Sequence, residues 1–144
     1  MKKLTVVAII LFLLTGCQNT GASDDIKPLS LADQAVIDQS QADEAKQIVL
    51  TMEEVVEIKG VNNNKNKLYL APRVKHFDRF RLNDIRKKGY DSIKNRYPEA
   101  KIFFSTDKKI FIELEKLEEQ LKNKSISEER LNKELKSLED MMKG

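Results

Sequence analysis

One cysteine, Cys17, and one histidine, His76, stand among the 144 residues. With a single thiol, no disulfide forms within the chain, so folding rests on an apolar core and helix packing. A Ser–His–Asp arrangement would have to use His76. No tight His and Cys cluster carries zinc-ligand spacing. The five glycines are scattered and build no phosphate-cradling loop. The apolar stretch from Leu4 to Leu14 is well short of the about 20 residues that a spanning helix needs. These absences point to a non-catalytic protein with no cofactor and no metal.

What is present begins at the front. Lys2 and Lys3 precede the Leu4–Leu14 stretch, and LTGC follows, ending at Cys17. A positive start, a short apolar core and small residues at a cleavage point are the layout of a secretory signal. The LTGC tail resembles a bacterial lipobox, in which the cysteine thiol is diacylated and the chain is cut before it. The resemblance implies residues 1–16 as signal peptide, Cys17 as lipidation site, and a membrane anchor on the extracytoplasmic face. The competing reading is an ordinary secreted protein with a chance cysteine.

The remaining 128 residues suit one small domain and a tether. Residues 17–40 are polar, contain Gly21 and Pro28, and read as a flexible acidic tether. Ser40 is the expected cap of a first helix at 41–53, with Ala45, Ile48, Val49 and Met52 at helical spacing. Val56 and Ile58 then alternate with Glu57 and Lys59, NNNKN at 62–66 forms a turn, and Leu68 and Leu70 mark a second strand ended by Pro72. A basic connection, Arg73 to Arg81, leads to a helix from Leu82 to Tyr97 that stops at Pro98. KIFFS at 101–105 reads as a third strand. Ser105 or Thr106 caps a third helix with Ile110, Leu114, Leu117 and Leu121 at 4-3-4 spacing. Ser125 and Glu128 have capping-box spacing before a fourth helix bearing Leu131, Leu135, Leu138 and Met142.

The expected fold is therefore α+β: a small antiparallel sheet of about three strands in the order α-β-β-α-β, helices on one face, and a C-terminal helical hairpin. The domain proper is placed at 41–123 and the C-terminal amphipathic helix at 124–144. That helix either folds back on the domain or reaches a protein partner.

Charge is unevenly spread. Residues 59–101 hold 13 bases against 4 acids, while residues 41–58 hold one base against five acids. Lys65, Lys67, Arg73, Lys75, Arg79, Arg81, Arg86, Lys87, Lys88, Lys94 and Arg96 form a candidate polyanion-binding stripe for anionic lipid or wall polymer. Nucleic acid is not expected as the partner of a surface-anchored chain. The alternative is a solvated face that balances the acidic flanks. Phe77 and Phe80 read as core residues between the second strand and second helix, against a nucleic-acid or headgroup platform as the other reading. His76 reads as an exposed histidine. The carboxylate pairs Glu53/Glu54, Glu118/Glu119 and Glu128/Glu129 read as helix-end or solvent-face acids, not as general acid–base groups.

The stretch from about Ala42 to Leu121 resembles the YhcN/YlaJ family of sporulation lipoproteins. The residues that carry the likeness are the amphipathic helix, EEVVEIKGVNNNKNKLYLA, RLNDIRKKGYDSIKNRYPEAK and IFFSTDKKIFIEL. The resemblance implies a lipoprotein of the forespore or inner spore membrane with an accessory role in sporulation or germination. It carries no catalytic residues to transfer. A general envelope-binding module is the alternative, and the fold order is also similar to small envelope modules of the BON type.

Overall fold

The structure, a computed structural model, describes residues 36–144; the expected signal segment, Cys17 and most of the expected tether lie outside the described residues. Its elements are α1 (Ser40–Leu50), β1 (Val55–Asn62), β2 (Lys67–Val74), a 3-10 helix (His76–Arg81), α2 (Leu82–Arg96), β3 (Lys101–Phe104), α3 (Lys108–Lys122) and α4 (Glu128–Lys143). This is the expected α-β-β-α-β-α-α order, and the domain is α+β.

The sheet runs β1-β2-β3 with β2 in the centre. β1 and β2 form the expected antiparallel hairpin, with Val61 opposite Tyr69. The turn works as an asparagine turn should: the Asn63 side-chain oxygen Oδ1 accepts from the amides of Lys65 (2.9 Å) and Lys67 (3.2 Å), and Asn66 takes φ 55°. β3 pairs parallel to β2, so the sheet is mixed rather than antiparallel throughout. The reason is connectivity. A helix of 15 residues intervenes, and a helical crossover returns the chain in the same direction.

Strand alternation sends side chains to two cores. Leu68 and Leu70 pack with Ala42, Ala45 and Val49 of α1 and Ile85 and Ile93 of α2. Tyr69 and Ala71 pack with Leu114, Leu121, Leu131 and Leu135 of α3 and α4. The first two helices share one face, as expected, and the hairpin covers the other. α4 spends its leucine seam inside the chain: Leu131, Leu135 and Leu138 are buried. A bulge between Val55 and Glu57 shifts the pattern, so Val55 joins Ile58 in the core while Val56 is half-exposed. Gly89 gives α2 room to approach β3, because a Cβ there would lie 2.4 Å from the Phe104 ring.

The helix caps differ from the expected ones by one or two positions. Asp38 accepts from the Ser40 amide (2.8 Å), and Ser40 itself lies in the first turn. Asp107 caps α3 by accepting from the amides of Lys109 (2.6 Å) and Ile110 (3.4 Å), in place of Ser105 or Thr106. Ser127, not Ser125, caps α4. Asp107 and Ser127 sit directly before the first helical residue, where they meet the unsatisfied amides, and Asp38 reaches the first amide from one residue further back.

Candidate functional site

β2 ends at Val74, and the chain turns outward. The Lys75 amide donates to the Glu54 carbonyl (2.9 Å), and the Asp78 amide donates to the Lys75 carbonyl (3.0 Å). The segment His76–Arg81 then winds as a 3-10 helix with no buried residue. Three residues per turn bring positions i and i+3 to the same side, so Phe77 and Phe80 stand together. They are 83% and 84% exposed. The expectation that they are core residues is overturned. Val74, Ile85 and their neighbours already close the space between β2 and α2, and both sheet faces are covered by helices. His76 is exposed as expected, with its ring edge-on to Phe77 at 5.7 Å.

Seven bases and two acids lie between Arg73 and Lys88. Of these bases, Arg73 pairs with Glu57, and Arg81 lies 3.5 Å from Glu54 and 3.6 Å from Asp78. Lys88 lies 3.6 Å from the same Glu54 oxygen, and Lys87 pairs with Asp91 at 2.6 Å. A hydrogen bond from its own backbone amide, helped by Lys88 and Arg81, holds the Glu54 carboxyl below its ordinary range. Arg86 donates to the Asn83 side chain at 3.3 Å. Lys75 and Arg79, which flank the two phenylalanines, have no carboxylate partner among the described residues. Beside them lies a groove of about 570 Å³ with Pro72, Val74, Leu82, Phe111 and Ile112 as apolar lining and Arg79 and Lys108 among its polar groups.

The other bases of the stripe lie elsewhere. Lys65 and Lys67 sit at the opposite end of β2, eight residues or about 26 Å of strand away. Lys67 donates to Glu139 of α4 at 2.7 Å. Lys94 donates to the Ala100 carbonyl at 2.9 Å, and Arg96 pairs with Glu44 of α1 at 2.7 Å. Burial, with a hydrogen bond to Glu44, pushes the neighbouring Tyr97 hydroxyl up to about 12. The acidic segment 41–58 thus neutralises part of the basic one: Glu44, Glu54 and Glu57 each meet a base of the stripe.

Two buried carboxylates escaped the sequence reading: Glu118, read as a helix-end or solvent-face acid, and Glu139, which it did not single out. Glu118 on α3 accepts from Lys46 of α1 (3.1 Å) and from the Gly60 amide (2.8 Å). Glu139 on α4 accepts from the Tyr69 hydroxyl (2.6 Å) and Lys67. Each follows directly on a seam leucine, Leu117 or Leu138, and lies four residues after another, Leu114 or Leu135. That spacing was the available signal. Both carboxylates bind the helices to the sheet and are occupied in doing so. Among the described residues no group of three or more His, Cys, Asp or Glu side chains could hold a metal ion.

No helix among the described residues is long and apolar enough to cross a membrane. No protein-family model, curated protein or solved structure matches this chain. What fold and site define is a three-layer α+β domain with a basic and aromatic tip at one end of its sheet.

Proposed function

We propose that the chain is a lipid-anchored, non-catalytic lipoprotein of a spore-forming bacterium. It would act as an accessory in sporulation or germination on the extracytoplasmic face of the forespore or inner spore membrane, as the likeness to the YhcN/YlaJ family implies. The observation that carries the reading is the run from Lys2 to Cys17: two positive residues, a short apolar core and LTG before the only thiol. Lipid on Cys17 supplies location and the segment up to Val36 supplies reach. A single acyl chain binds a bilayer only marginally, so stable anchoring takes two or more. The domain adds a contact surface and no evident reaction centre.

A second reading is a general envelope-binding module, for anionic lipid or wall polymer, without a tie to spores. The concentration of bases between Arg73 and Lys88 favours it. Timing separates the two: forespore-specific synthesis supports the first and constant vegetative synthesis the second. The direct experiment measures germination of spores lacking the protein, with intact and Cys17→Ala copies restored in parallel. A delay rescued only by the intact copy is the expected result. Rescue by both copies would remove the need for the lipid. Normal germination without the protein would move the reading to the general module.

A further inference from the structure

We infer that the 3-10 tip is a second membrane contact: Phe77 and Phe80 enter the headgroup boundary of an anionic bilayer, while Lys75 and Arg79 meet its phosphates. The inference rests on the lipid-anchored reading and names the surface that the anchored domain turns toward the membrane. Four observations carry it. Two large aromatic side chains, three residues apart on one 3-10 helix, are more than four-fifths exposed, and nothing among the described residues covers them. Bases flank them, and the two nearest lack carboxylate partners, so their charge is available to an anionic surface. Aromatic rings with neighbouring Lys and Arg suit the membrane interface, where the apolar part sinks and the cation stays with the headgroups. The fourth observation is reach.

The chain joins the domain at the hairpin-turn end of the sheet, where the Gln39 side chain is hydrogen-bonded to Asn62. The tip lies at the other end of β1 and β2. About 19 residues separate Cys17 from Val36, a contour of about 60 Å when extended, against about 26 Å for the length of β2. The anchor therefore leaves the domain room to lay its far end on the same membrane. A hydrated wall polymer would use the cations but leave both phenyl rings in water. A bilayer takes both.

The chain contains no tryptophan, so one introduced at the tip reports alone. The full chain would be made in bacterial membranes as Phe77→Trp, Phe80→Trp or Lys65→Trp, the last at the hairpin turn. Each would be reconstituted into vesicles of phosphatidylcholine, or of phosphatidylcholine with one-third phosphatidylglycerol. Flotation reads anchoring; emission wavelength, acrylamide access and quenching by brominated lipid read the tip. The expected result is flotation of all three with both vesicles. In anionic vesicles only, tryptophan at 77 or 80 shifts to the blue, loses acrylamide quenching and gains bromolipid quenching, while tryptophan at 65 stays in water. Lys75→Glu with Arg79→Glu, added to Phe77→Trp, abolishes the shift and leaves flotation intact. Flotation with the tip still open to acrylamide in both vesicles overturns the tip contact alone. A tip shielded from acrylamide without bromolipid quenching is covered by protein, a second copy included, and also overturns it. A chain that floats with neither vesicle overturns the anchored reading and the tip contact together.

Discussion

Glu118 and Glu139 are both nearly buried acids, yet their surroundings drive them in opposite directions. Burial pushes the Glu118 carboxyl above its ordinary value, and Lys46, the Gly60 amide and Lys59 only partly oppose it. A carboxyl raised on folding contributes stability that is present at acid pH and lost as pH rises through its folded value. At Glu139 burial also acts upward, but hydrogen bonds from Lys67 and Tyr69 outweigh it and bring the carboxyl down to about 2. Its contribution is present above the unfolded value of 4.5 and is lost as pH falls toward 2. Urea midpoints taken from pH 6 to pH 2 should therefore fall below about pH 4.5 in the native chain, and fall less in Glu139→Gln. Replacing Glu118 has another cost. Glu118→Leu takes a buried carboxylate away from the Lys46 ammonium and leaves the Gly60 amide without its acceptor, so a loss of about 3 kcal/mol is expected in urea unfolding at pH 7. Only the seam spacing hinted at either role, because an acid on a helix otherwise reads as solvated until a neighbour closes over it.

Among the elements, the 3-10 tip and the α3–α4 turn show most plainly how local winding sets exposure. Phe77→Ser with Phe80→Ser should change the thermal midpoint hardly at all, within about 0.5 kcal/mol, because both rings already lie in water. Core phenylalanines replaced by small residues would each cost about 3–5 kcal/mol, so the same melt tests the placement. At the end of α3, Lys124 takes φ 53°, and the Ser125 amide reaches back to the Gln120 carbonyl at 2.9 Å. This is the left-handed C-terminal stop that glycine adopts without steric cost. Lys124→Gly should accordingly stabilise the fold by about 0.5–1 kcal/mol, read as a rise in melting temperature. The break at KNKSIS was visible in the sequence; its left-handed residue was not, since no glycine marks it.

The whole molecule is a central strand between two pairs of helices. β2 feeds both cores through alternate residues, so neither face stands without the other. β1 is an edge strand, and Glu118 occupies the Gly60 amide there; β3 is only four residues long. Short or occupied edges discourage strand addition by other chains. A chain ending at Ser125 would uncover Tyr69, Leu117 and Leu121, which α4 now shields. It should lose its cooperative urea transition as followed by circular dichroism. That outcome would place α4 within the folding unit; an unchanged transition would make residues 41–123 sufficient.

Element type and order followed from local pattern: helical spacing of Ala and Leu residues, strand alternation at 68–71, and asparagines suited to a left-handed turn residue. Such signals act over a few residues, so the sequence alone determined them. Strand direction, the side each helix takes, the burial of Glu118 and Glu139 and the exposure of Phe77 and Phe80 depend on groups distant along the chain. A phenylalanine is core only where a surface remains to be covered. At the end of β2 the chain leaves the sheet as a 3-10 helix with no buried residue, while α1 and α2 pack on one face and α3 and α4 on the other. The eleven-base stripe divided for the same reason: β2 and α2 carry its members to opposite ends, and acids from α1 and β1 meet several of them. Packing decided which charges and which rings face outward, and at the 3-10 tip it left both together.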